Sequence, residues 1–262
     1  MEQTVVQDLI DGRAEPGRVR AISLPHKQPR ILIGVHPIGT FWTTVIGKKV
    51  VMAATGTVLV SFVIGHMLGN LKIFSGAQDI NSYARFLREV GNPELGYGEL
   101  LWVVRAVLLS CVILHVTAAV QLSRMNWQAR PQDYRVKKDL GATLASRTLR
   151  WGGLLLAIFI VIHLLHLTVG AVGFRAGQFH DLAVYQNVVA AFAIWPVSAF
   201  YVLAMAALGL HLDHGIWSAC QTLGLNSTYN EHSLRLVSRT FALVVFLGFI
   251  SVPVAVLTGW VR

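Results

Sequence analysis

Apolar residues gather into five stretches, near 47–71, 99–122, 151–173, 188–214 and 240–260. Each is about as long as the ~20-residue helix that crosses a bilayer. Polar segments rich in turn formers separate them: GNPELGYG at 91–98, ARPQDY at 129–134, GFRAGQFHD at 173–181 and GLNSTYNEH at 224–232. The pattern predicts an all-α fold, an integral membrane bundle of five transmembrane helices. Residues 1–45 have no spanning period and read as a polar N-terminal arm, leaving 46–262 as the transmembrane domain. The first 30 residues contain no apolar core of a secretory signal.

Composition strengthens this reading. Of 262 residues, 54% are hydrophobic and only 13% charged, whereas a soluble domain carries about 25% charged residues. The mean hydropathy is +0.57. A net charge of +9 raises the question of nucleic acid, but the basic residues cluster beside the apolar stretches, which makes them topology signals instead. The two cysteines, Cys111 and Cys220, make no disulfide framework.

Lysine and arginine set the expected orientation. Lys48 and Lys49 flank the first stretch. Arg124, Arg130, Arg135, Lys137, Lys138, Arg147 and Arg150 fill the connection between the second and third, and Arg235 and Arg239 follow the fourth. The opposite connections hold fewer bases, partly offset by Asp79, Glu89, Glu94, Glu99 and Asp181. The N-terminus is therefore expected on the cytoplasmic side and the C-terminus outside.

Six of the ten histidines lie in these apolar stretches: His66, His115, His163, His166, His211 and His214. An ionisable ring inside a bilayer is costly, so it tends to face a bundle interior and hold something there. Alternating helix direction sorts the six by depth. His66, His163 and His166 fall toward the outer face, and His115, His211 and His214 toward the inner face. Two cross-helix pairs at two depths suit two histidine-ligated b-type haems, one above the other. Within each close pair, three residues apart and about 60° around the helix, spacing does not select the ligand.

The motifs resemble a known family. GKKVVMAATG at 47–56, FVIGHMLGNLKIFSG at 62–76 and NSYARFLRE at 81–89 look like the first span of a membrane-anchor (cytochrome b) subunit of bacterial succinate dehydrogenase or fumarate reductase. The type is the single-polypeptide, five-span form, including actinobacterial members. LWVVRAVLL with LHV around His115 resembles its second span, and SRTLRWGG with FIVIHLLHLTVG its third. GLHLDHGIWSACQTLG at 209–224 is similar to its fourth.

The resemblance implies a subunit of succinate:quinone oxidoreductase (complex II) in a bacterial plasma membrane. Its partners would be a flavoprotein subunit and an iron–sulfur subunit, its surroundings membrane lipid, and its electron acceptor a quinone, with menaquinone the expected species. It also implies haem b, one or two, held by His66 with His163 and by His115 with His214. His166 and His211 are the rival ligands. Cys111 and Cys220, with His115 and His211 or His214, make up the ligand set of a Rieske-type [2Fe–2S] centre, the alternative at the inner level.

Quinone needs an apolar slot with one or two polar groups. Ser218, Gln221 and Trp217 are the inner candidates. Arg105, Asn70, Asn81, Tyr83 and Glu99 are those at the other face. Two further classes stay open: a stand-alone di-haem quinol-linked cytochrome, and a transporter or proton relay that uses the histidines without redox chemistry. The arm is expected to dock on the iron–sulfur subunit. Deleting residues 1–30 should then reduce co-purification of the soluble subunits with this chain, and full assembly would refute the docking role.

Overall fold

A computed structural model of the chain describes residues 38–129, 144–175 and 177–262. Most of the arm and the basic segment 130–143 lie outside the described residues. The described part is helical with no strands. Its helices are α1 (Ile38–Thr43), α2 (Val45–Leu71), α3 (Ala77–Glu89), α4 (Glu99–Gln128), α5 (Leu144–His163), α6 (Val184–Phe192), α7 (Trp195–Thr222) and α8 (Glu231–Leu257). Five segments are long and apolar enough to span a membrane: α2, α4, α5 with its extension to Thr168, α7 and α8. The chain is a multi-pass membrane protein.

Local chemistry sets the helix ends. Thr44 caps α2, its hydroxyl oxygen accepting the Gly47 N–H at 2.9 Å. Pro196 sits in the first turn of α7, where a missing N–H costs nothing. α7 stops at Gly224, whose φ of +74° an L side chain would resist, with the Leu225 N–H reaching back to the Cys220 carbonyl at 2.9 Å. α5 does not end as an α-helix. A π turn follows over Leu164–Thr168, where the Val169 N–H bonds the Leu164 carbonyl at 2.9 Å.

Three boundaries differ from those the hydropathy pattern predicts. The fourth apolar stretch, 188–214, is really two helices, because α6 ends at Phe192 and α7 restarts at Trp195. Ser198 bridges the break, its buried hydroxyl donating to the Phe192 carbonyl at 2.7 Å. α7 then runs on to Thr222, eight residues past the expected end. α8 likewise begins at Glu231 rather than near 240.

The spans pack in a defined order. α2 packs along α4 and α7, α7 along α5, and α8 against both α2 and α7. Four helices therefore run in the order α4, α2, α7, α5. Among the described residues, α4 and α5 do not pack along each other. The fully buried side chains gather around α7 and α8, with Tyr201, Ala204, Met205, Val252, Ala255 and Val256 in one cluster. Met67, Leu212, Ala242 and Val245 form a second where α2 joins them. Large side chains on α4, such as Trp102, Val103, Leu109 and Ile113, are exposed, as lipid-facing residues are.

On one side of the bundle the short helices are tied together. Asn81 of α3 accepts the Tyr185 N–H at 3.0 Å and donates to Gln186 at 3.2 Å. Arg88 forms a salt bridge with Asp181 at 3.1 Å.

Replacing Ser198 with alanine leaves the Phe192 carbonyl buried without this donor. That should cost about 1–3 kcal/mol, measured as a lower unfolding midpoint of the detergent-solubilised protein.

Candidate functional site

Four of the six intramembrane histidines meet in two pairs. His66 of α2 and His163 of α5 have ring centroids 5.8 Å apart, their planes 79° apart. His115 of α4 and His211 of α7 have centroids 6.2 Å apart at 56°. Among the described residues, neither pair joins helices that pack along each other. Each spans a diagonal of the four-helix arrangement, and the two diagonals cross. All four rings are half-buried within the protein.

The pairs lie at different levels. His163 lies against Tyr201 of α7, and His211 lies near Gly153 of α5. On both helices the two levels are therefore separated by ten residues, about 15 Å at 1.5 Å per residue. On α2, His115 meets Met52 and Thr55, eleven or more residues before His66. All three helices give the same two-storey arrangement.

At the His115 level the ring is held across two helices. The Nδ1–H of His115 donates to the Met52 carbonyl at 3.1 Å. A carbonyl can only accept, so the hydrogen sits on Nδ1 and the lone pair on Nε2. Thr55 spends its hydroxyl hydrogen on the Val51 carbonyl at 2.7 Å, and its oxygen lies 3.2 Å from the same Nδ1. A metal-bound histidine characteristically donates its second nitrogen to a carbonyl in this way. Gly56 lets α2 pass close to the ring, since a Cβ there would come within 3.3 Å of His115 Cε1. Opposite, His211 Nδ1 is buried with no hydrogen-bond partner among the described residues. A cavity of about 70 Å³ opens beside it, lined by Thr148, Gly152, Ala207 and Leu210.

Aromatic rings frame the His66 level. His66 stacks on Phe62 at 5.3 Å and lies 5.9 Å from Phe249. His163 stacks on Phe159 at 5.5 Å, and its Nδ1 is 3.4 Å from the Tyr201 hydroxyl. His166 is buried on the far side of that hydroxyl, with its own Nδ1 3.0 Å away.

Two imidazoles on opposite sides of one iron, each bonded at about 2 Å, stand with centroids roughly 6 Å apart. Both pairs lie near that spacing, so each level brings together two imidazoles of the kind a bis-histidine haem would need. The structure does not bring His115 and His214 together, the pairing taken from the motif. His214 lies about 60° around α7 from His211 and packs against Trp217, centroids 6.1 Å apart.

The ligand set for a [2Fe–2S] centre is not assembled either. Among the described residues, no three His, Cys, Asp or Glu side chains form a metal-binding group. Because α7 is unbroken to Thr222, Cys220, nine residues after His211, lies on the opposite face of the helix. Cys111 lies one turn before His115, and both cysteines are free.

The quinone candidates divide. Trp217 Nε1 is buried without a partner among the described residues, and the Arg235 guanidinium lies 4.1 Å over its ring. Ser218 is half-buried beside it and Gln221 is exposed. Arg105 stacks on Trp102 at 4.7 Å, and Asn81 is committed to the α3–α6 tie. Tyr83 lies under the Lys72 ammonium at 5.5 Å. Sequence reasoning missed Tyr201 and Arg235 as members of these sites. The only signal for Tyr201 is a phenol within a strongly apolar helix.

Fold and site together define a multi-pass membrane protein with two crossed histidine pairs in its interior. No protein-family model matches the chain, and no curated protein or solved structure is significantly similar to it.

Replacing Gly56 with leucine drives a side chain into His115. It should destabilise the protein by about 1–3 kcal/mol, and adding His115→Ala should recover most of that loss. Additive effects in this double-mutant cycle, measured by unfolding in detergent, would show that the two residues do not touch.

Proposed function

We propose that this chain is the quinone-reactive membrane anchor of a succinate:quinone oxidoreductase in a bacterial plasma membrane. It would dock an iron–sulfur subunit, itself bound to a flavoprotein subunit, on the cytoplasmic face. The observation that carries the reading is the pair of crossed histidine contacts, about 15 Å apart along the bundle. The collinear motifs over residues 45–225 add the family. Haem b bound at each level supplies reversible one-electron transfer.

The residues divide the work. His66 and His163 hold one centre, and His115 and His211 the other. Met52 and Thr55 orient His115, while Phe62, Phe159 and Phe249 keep water from the first pair. With the N-terminus cytoplasmic, the His115–His211 level is the inner one. Trp217 and His214, just beyond it on α7, stand where a quinone carbonyl would take the unpartnered indole N–H. Oxidation of succinate to fumarate releases two electrons and two protons, the number that reduces one quinone to quinol. In that orientation the partner subunits would dock on the inner side.

The test is a reduced-minus-oxidised spectrum of the purified assembly, with iron, haem and acid-labile sulfide counted. Two b-type haems are expected. His66→Ala or His163→Ala should remove about half of the signal, and His115→Ala or His211→Ala the other half. His214→Ala should keep both haems and lower quinone turnover. A chain without b-type absorbance would refute the reading and favour a non-redox relay. Sulfide beyond that of the partners' clusters would restore the iron–sulfur alternative.

A further inference from the structure

α8 contributes to neither histidine pair, yet one of its side chains reaches Trp217 of α7. The Arg235 guanidinium lies 4.1 Å over the indole ring, well inside the range of a cation–π contact. It is held there from its own helix. Arg235 Nε and Nη2 both donate to one oxygen of Glu231, four residues earlier, at 3.1 and 2.9 Å. α8 packs along α7, which brings the arginine and the indole together.

Trp217 needs such a hold. An indole turns about χ2 between broad, roughly two-fold wells, and a turn carries Nε1 from one side of the ring to the other. The Nε1–H can only donate. It is buried without a partner among the described residues, so no hydrogen bond to a described group fixes its direction. Packing must do so instead. His214, one turn earlier on α7, lies with its centroid 6.1 Å from the ring, and Arg235 covers a face.

The clamp itself does little for stability. Arg235 and Glu231 are 39% and 47% exposed, and ion pairs as exposed as this contribute little. Variants at Arg235 should therefore fold.

We propose that Arg235, clamped by Glu231, is a positioning residue for quinone: it holds the Trp217 ring so that Nε1–H stays turned toward a quinone carbonyl, and it acts only through that ring. The inference rests on the function proposed above, which puts the carbonyl at this N–H. Arginine is specifically required. Lysine keeps the charge but lacks the planar fork that bonds Glu231 twice while lying over the indole.

The first readout is turnover of the purified assembly with succinate and 2,3-dimethyl-1,4-naphthoquinone. Arg235→Ala should raise the KM for this quinone about tenfold, as loss of one hydrogen bond would. Its kcat should stay within about twofold, because the lost interaction is made equally before and during the reaction. Arg235→Lys should raise KM nearly as much. Trp217→Phe keeps a ring and removes the N–H, so it should match Arg235→Ala, and the double variant should be no worse than either alone.

The second readout needs no quinone. In the full-length chain in detergent, labelled with 15N-tryptophan, the Trp217 indole resonance is assigned by its loss in Trp217→Phe. It should be single in the unaltered protein and split or broadened in Arg235→Ala.

Additive effects on KM in the double variant would overturn the proposal, since Arg235 would then act without the indole. So would an Arg235→Lys enzyme with unaltered KM, or an Arg235→Ala chain with an unaltered indole resonance. If Trp217→Phe leaves KM unchanged, the quinone placement in the proposed function is wrong and this role falls with it; the indole resonance would still show whether Arg235 fixes the ring.

Discussion

Hydrocarbon offers no hydrogen-bond partner, and that constraint governs where every polar side chain in the spans goes. Most hydroxyls answer it locally. Thr55, Thr57, Ser61, Ser110, Thr148, Ser251 and Thr258 each donate to a carbonyl three or four residues earlier on their own helix. The imidazoles do not. His115 finds its partners on α2, and His163 and His166 find theirs on α7. Side chains that can be satisfied only across helices specify how the helices face one another. The same need makes them useful, because a ring held by one nitrogen presents the other.

The apolar periodicity carried most of the fold, since a bilayer demands long uninterrupted runs and few other patterns supply them. It failed where the backbone breaks without a change in polarity. Residues 184–214 contain one charge, Asp213, so nothing in hydropathy separates α6 from α7; the signal is Pro196, which opens a helix more readily than it continues one. The π turn after His163 left no compositional mark at all.

The candidate site was legible to the level of two sets of histidines, because alternating direction converts sequence position into depth. Choosing within a set required rotation about the helix axis, which drifts with every residue and changes abruptly at a π turn. Spacing alone could not rank His211 against His214. The structure ranks them by what each ring meets: His115 for one, Trp217 for the other. The cysteines illustrate the converse. Their residue types suited a cluster, but an unbroken α7 turns Cys220 away from His211.

The two histidine contacts lie on crossed diagonals, and this has a mechanical consequence. α4 contributes to one ring contact only and α5 to the other only, and among the described residues these two helices do not pack along each other. α5 carries the His163 ring and also lines the cavity beside His211 with Thr148 and Gly152, so a tilt of α5 is felt at both levels, whereas α4 contributes a ring to the His115 level alone. α2 and α7 form the common spine, stiffened by α8 along both. The frame is thus asymmetric: α4 bears on one level through its histidine, and α5 ties the two levels together.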